Sequence, residues 1–299
     1  MANPIVSGIT GYVDQNREEL LTKSYLSSKS ADLFRKMVDV KGKTALHLLD
    51  VNPVWQAGGC GFTESGSTAF TNRELDPAFI KINMTFCDKE LLGTYAEHRV
   101  NIAAGKETLP FEEVWTGEIA KAVAESLEKM MYQGESANTN EFGGLIETLS
   151  GEASAVVVSA TTGETAYAFL KKVAKAIPAQ VKNPVILVSD QLYEEFMQDL
   201  VTANLFHYDP KNGENEYMLP GTSKKVIAVS GLNDADKDYA IAANLNNIVY
   251  GIDAEGDESS FDVWYSKDDR IWKLAVQVLA GVQVGRPDEV VFAYRGAGE

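Results

Sequence analysis

Cys60 stands among glycines, in Gly58-Gly59-Cys60-Gly61, and a thiolate there beside an imidazole would be a nucleophile of the Cys–His kind. His47, His98 and His207 are the available bases. Nothing in their spacing sets such a geometry, and glycine around cysteine equally suits the tip of a tight, aromatic-bearing loop. Cys87 closes an alternating run and reads as a small apolar residue buried in a strand, while His98 reads as a satisfied polar group. Asp234, Asp236 and Asp238 have the one-three-five spacing of a calcium loop. The position for the sharp turn holds Tyr239 in place of glycine, however, and the bidentate end position holds Leu245 in place of glutamate. Asp253, Glu255, Asp257 and Glu258 form an acidic stretch between strands, for which an exposed turn is a sufficient explanation. The chain has no Gly-x-Ser-x-Gly elbow, no Gly-x-x-x-x-Gly-Lys, no His-Glu-x-x-His and no Gly-x-Gly-x-x-Gly. No catalytic, cofactor-binding or metal-ligating residue is assigned, and the expectation is a protein that is not an enzyme and needs no cofactor.

The composition is that of a globular chain. With 299 residues, 45% of them apolar and 23% charged, the chain has enough material for one large domain or two modest ones. Against 27 basic residues stand 43 acidic ones, a formal charge of −16 that repels phosphate backbones and argues against reading nucleic acid. Two cysteines cannot make a disulfide framework. No leader and no membrane-length apolar run is evident, so folding in the cytoplasm is expected.

The elements that would position any functional group can be read from periodicity. Asn16 to Met37 reads as two short helices, separated by Ser27-Ser28-Lys29-Ser30; it is either an arm that touches neighbours or a helical hairpin on its own domain. Thr44 to Val51 and the alternating Ile80, Ile82, Met84 and Phe86 read as strands that pair with each other. Between them runs a connection from Asn52 to Pro77, far longer than the roughly two to five residues of an ordinary hairpin loop. It carries Trp55, Phe62, Phe70 and Arg73, which disorder does not explain. Either it folds back on its own domain or these four residues contact another subunit.

Pro110 and the acidic pair Glu112-Glu113 open a long helix that Gly134 closes. Its apolar face carries Val114, Trp115, Ile119, Ala122, Val123, Leu127 and Met131, its polar face Glu118, Lys121, Glu125, Glu128 and Lys129. From Ala155 the pattern turns α/β, with strands at 156–158, 185–188, 226–229 and 248–252 and helices from Glu164 to Ala176 and after Ser189 or Asp190. Trp272, Leu274, Val276, Val278, Ala280, Val282 and Val284 then alternate with polar residues over roughly 44 Å of strand. Few compact domains need a strand so long.

This order, with Gly134 followed by Phe142-Gly143-Gly144-Leu145-Ile146, Pro220-Gly221-Thr222 leading into Val226-Ile227-Ala228-Val229, and the long C-terminal strand before Gly285-Arg286-Pro287, resembles the major capsid proteins of tailed bacteriophages. The resemblance implies an α+β Hong Kong 97-type fold: an N-terminal helical arm (1–43), an E-loop hairpin and its flanks (44–92), a peripheral or P domain with a long spine helix (93–154 and 258–299), and an α/β axial or A domain (155–257). It implies a structural subunit that self-assembles into pentamers and hexamers of an icosahedral phage or prophage head around double-stranded DNA, in the host cytoplasm. The implied E-loop contact with a neighbour falls on Trp55, Phe62, Phe70 and Arg73. Implied partners are further copies of the chain, a portal, a head-maturation protease and a scaffolding protein. That scaffold is expected to be separate, because the chain begins so near the arm. The crosslinking lysine of some members has no counterpart between Asn52 and Pro77. An encapsulin-like shell subunit is the alternative, and a cytoplasmic α/β enzyme with its site between Ala155 and Ile252 is a further one.

Overall fold

The alternating run near the C-terminus folds into one strand, Ile271–Val284, and it is the axis of a five-stranded sheet. The computed structural model describes residues 28–60, 64–87, 111–161, 163–205, 215–253 and 260–296, with 9, 12, 13, 15, 16, 19 and 20. In chain order the elements are α1 (Lys29–Leu33), β1 (Arg35–Met37), β2 (Thr44–Asn52), β3 (Ser67–Leu75), β4 (Ala78–Cys87), α2 (Phe111–Gln133), α3 (Leu145–Ser150), β5 (Val156–Ser159), α4 (Ala166–Ala176), β6 (Val185–Val188), α5 (Asp190–Thr202), β7 (Glu216–Met218), β8 (Lys225–Ala228), β9 (Lys237–Ala243), β10 (Ile248–Ile252), β11 (Ser260–Ser266), β12 (Ile271–Val284) and β13 (Val291–Gly296).

On one side β12 takes β4 antiparallel, from Ile271↔Cys87 to Ala280↔Ala78. On the other it takes β11 against 271–277 and then β10 against 280–284, so those two strands follow one another along it. The seven residues of β12 expected to face one way are all buried, and they pack with Ile119, Val123, Leu127 and Met131 of α2 in one core. Phe86 and Trp115 meet edge to face across the same layer, 5.2 Å between centroids. Two positions on α2 depart from the expected faces. Glu128 is buried, while Ala122 is exposed and lines an apolar groove with Ile82, Met84 and Trp115.

The second sheet has six strands in the order β5-β13-β9-β6-β8-β7. Phe169, Leu170 and Val173 of α4 and Leu192, Phe196 and Leu200 of α5 pack on it. Thr165 and Ser189 cap these helices, accepting from the backbone N–H of Ala168 and Leu192. The order of the chain and the membership of the sheets disagree. β10, expected with the 155–257 block, belongs to the β12 sheet, while β13, expected with 258–299, lies between β5 and β9. β9 itself gave no periodic signal because nearly all of its residues from Tyr239 on are enclosed, which removes the alternation.

Two further expectations are corrected. The N-terminal helix expected to reach Met37 stops at Leu33; Phe34 turns out of it, and 35–37 pair in parallel with β10 as β1. β2 does not pair with β4. It pairs with β3, from Thr44↔Leu75 to Asn52↔Ser67, while β4 is taken by β12. β3 is polar and exposed along most of its length, so neither alternation nor apolar content announces it. Among the described residues no helix is long and apolar enough to cross a membrane.

Candidate functional site

The hairpin of β2 and β3 has two unlike faces. Directly opposed residues of an antiparallel pair share a face, and the next pair along lies on the other. Leu46/Arg73, Leu48/Thr71, Asp50/Ala69 and Thr44/Leu75 therefore make one face, and His47/Asn72, Leu49/Phe70 and Val51/Thr68 the other.

The first face is bound to the body. Leu46 and Leu75 are buried with Val40 and Val249 in a small separate core, with Met37 packed against it. Gly251 and Gly281 are register partners on β10 and β12. A Cβ on Gly251 would lie 2.4 Å from Leu75 Cδ2, and one on Gly281 3.0 Å from Pro77 Cα. The missing side chains leave the dent in which Leu75, Asp76 and Pro77 seat, the close approach that glycine within a strand permits. Polar contacts finish the root. Arg286 Nη2 donates to the Leu49 carbonyl at 2.7 Å and pairs with Asp50 at 2.9 Å. Arg73 Nη1 pairs with Glu152 at 2.8 Å, and Gln283 Nε2 donates to the Glu74 carbonyl at 2.9 Å. The Arg73 guanidinium holds the Glu152 carboxyl below its usual range.

The second face is covered by nothing among the described residues. Phe70 is 78% exposed, Val51 58% and Leu49 47%, and beyond the strand end Trp55 is 96% exposed. The four residues expected to make an inter-subunit contact thus divide. Trp55 and Phe70 are presented outward; Arg73 departs from the expectation, lying on the opposite face and engaged with its own chain; Phe62 lies outside the described residues. Leu49 and Val51, which the sequence reading passed over, sit with Phe70 on the outer face. The alternating Leu49-x-Val51 was their signal.

The segment Phe142-Gly143-Gly144-Leu145-Ile146 is structural. Gly144 donates its N–H to the Gly134 carbonyl at 2.8 Å, closing the loop between α2 and α3, and Phe142 is buried. Gly144 of this segment and Gly134 before it are required by close approach, since a Cβ on Gly144 would lie 2.6 Å from the Tyr132 carbonyl oxygen and one on Gly134 2.3 Å from that of Phe142.

The residues first weighed for chemistry do not converge. Cys60 is exposed on the hairpin tip, and His47 is held by Asn72 at 2.8 Å. Cys87, expected buried, is exposed, because it falls on the odd-numbered, outward phase of β4 with Lys81, Asn83 and Thr85. Asp234 Oδ1 accepts from the backbone N–H groups of Asp236 and Lys237, whereas Asp238 is buried between Ser189 and Arg295. Arg295 also pairs with Glu195. His98, His207, Glu255, Asp257 and Glu258 lie outside the described residues.

No family model and no curated protein matches the chain. Solved structures do. A chain of the satellite phage P4 procapsid is 10% identical, with 98% of this chain and 97% of that one covered at a TM-score of 0.62. The capsid of the native GTA particle matches at 11% identity, 92% and 91% coverage and a TM-score of 0.59. The virus-like particle from Pyrococcus furiosus matches at 8% identity, 94% and 99% coverage and a TM-score of 0.54. Over nearly its whole length, this α+β chain has the fold of proteins solved as capsids and virus-like particles.

Proposed function

We propose that the chain is a major capsid subunit of the Hong Kong 97 type, which self-assembles into the pentamers and hexamers of an icosahedral phage head around double-stranded DNA. The observation that carries this reading is the hairpin, whose inner face is fastened to its own body while Leu49, Val51, Phe70 and Trp55 face away from it. A two-stranded ribbon is marginal in water, and a patch of large apolar side chains on one is an interface in waiting. Residues 44–92 correspond to the E-loop and its flanks, and 1–43 to the N-terminal arm. We assign 93–154 and 258–299 to the P domain and 155–257 to the A domain; the pairing of 248–252 with β12, and of 291–296 with β5 and β9, supports exchanging those two segments between the domains. A net charge of −16 suits containment of DNA without affinity for it. A separate scaffold, a portal and a head-maturation protease are the expected partners, with assembly in the bacterial cytoplasm and residence in the virion. Catalysis is no part of this role.

The test is to replace residues 53–66 by a short Gly-Ser turn. Loop-closure entropy changes slowly with length, so circular dichroism and the thermal melt of the subunit should be preserved while particles vanish from electron micrographs. A protein that stays monomeric at every salt and concentration, with or without a scaffold, overturns the reading. An encapsulin-like shell is the second reading, favoured by the match to the Pyrococcus furiosus particle over 94% of the chain. Particles filled with enzyme cargo instead of nucleic acid would decide for it.

A further inference from the structure

Glu128 was expected on the solvent side of the long helix. It is 5% exposed, at a junction of three elements. From α1, Ser30 Oγ donates to Glu128 Oε1 at 2.8 Å and lies 2.8 Å from the Tyr132 hydroxyl, and the Lys29 backbone N–H also donates to the carboxylate. Ser30 and Tyr132 are fully buried, and Phe34 tilts against the Tyr132 ring. From the other side the turn at 230–232 lies flat on the helix. A Cβ on Gly231 would come within 2.3 Å of the Tyr132 ring, and Gln133 Nε2 donates to the carbonyls of Gly231 at 2.9 Å and Asn233 at 2.6 Å. With Ser30 giving its proton to the carboxylate, Tyr132 donates to Ser30, a chain that ends on a buried negative charge.

We propose that Ser30, Glu128 and Tyr132 form a protonation-dependent latch that sets how firmly the N-terminal segment is held on the long helix, tight with Glu128 neutral and looser with it ionised. Both states keep the two side-chain contacts: a protonated Glu128 donates to Ser30, which then donates to Tyr132, leaving the Tyr132 proton without an acceptor inside the triad. Against that one unpaired proton, the ionised state carries the larger cost of enclosing a charge. Among the described residues the charged groups facing Glu128 are Lys29 of α1, which favours the anion, and Asp190 at the start of α5, which opposes it; the 230–232 turn contributes none. Burial outweighs them and moves the Glu128 carboxyl up from its usual range. Closing the latch therefore takes up a proton. A raised folded-state value means that the latched state gains as pH falls through that value and loses as pH rises.

The test is hydrogen exchange by mass spectrometry on the full-length protein from pH 8 down through the ordinary carboxylate range to about pH 4, corrected for the chemical exchange rate. Amides of 29–34 should gain protection on acidification, by up to about tenfold for each pKa unit that closure adds to Glu128. Peptides of α4 and α5 should not follow. Glu128→Gln keeps the hydrogen bonds without the charge, and should show high protection that is flat with pH; Ser30→Ala should lower protection at every pH. Wild-type protection that does not change over this range overturns the proposal, as does Glu128→Gln retaining the wild-type response. Should Glu128→Gln fail to fold, the wild-type titration and Ser30→Ala decide it alone.

Discussion

The β2–β3 hairpin and the β4–β12 pair are both long antiparallel ladders, with nine and ten residues in register, so their backbones are bonded alike. Their side chains are not. Trp272, Leu274, Val276, Val278 and Ala280 of β12 are enclosed along the ladder, whereas in β2 and β3 only Leu46 and Leu75, at the root, are buried. Backbone hydrogen bonds exchange water for protein at small net gain, so apolar burial decides which ladder holds a subunit together. One ladder is core. The other is fastened at its root and left with an apolar face for something else to cover.

The widest separation between them should come from deleting an aromatic residue in each. Trp272 is fully buried and meets Tyr265 edge to face, so Trp272→Ala should cost about 3–5 kcal/mol in denaturant unfolding of the subunit. Phe70→Ala should cost under about 0.5 kcal/mol in the same measurement, yet reduce particle yield severely. Equal losses of stability from the two would erase the distinction.

Next in size is the seat of the hairpin. Gly251→Ala puts a methyl group against the buried Leu75 side chain, and overpacking there should destabilise by about 1–3 kcal/mol. Exchange at the amides of 44–48 and 72–76 should speed up, with the α4 and α5 amides unaffected. Arg286→Ala removes the donor to the Leu49 carbonyl and the partner of Asp50, for about 1 kcal/mol, read as faster exchange near residues 49 and 50.

Acid should act on the same root. Arg73 depresses the Glu152 pKa, so that pair contributes stability above the ordinary carboxylate range and loses it as pH falls through the lower folded-state value. Arg73→Ala should abolish this acid response of the hairpin amides while leaving the opposite response of 29–34 in place. The smallest effect belongs to the cysteines. Both are exposed, so the double substitution Cys60→Ser and Cys87→Ser should leave the melt unchanged within about 0.5 kcal/mol and particle yield the same under reducing and oxidising conditions.

Helix α2, the Ser189 cap of α5 and the alternation of β12 were legible from the chain because each is written within its own segment: a 3.6-residue period, a serine at a helix start, a two-residue period over a buried face. Gly134 and Gly144 were legible as a feature and not as a cause, since the carbonyls they make room for, those of Phe142 and Tyr132, are brought there by the chain turning back on itself. The rest depended on what lay opposite. β3 is polar and becomes a strand by pairing with β2; β10 and β13 change places between sheets; and Arg73 turns inward to Glu152 while Phe70 turns out. The sequence by itself determined which segments were helices or long strands and that an aromatic connection lay between two of them. Only the tertiary structure decided which strands met, which face of the hairpin was left open and that Glu128 was enclosed, because partner choice and burial are set by distant surfaces coming together and leave no local period to read.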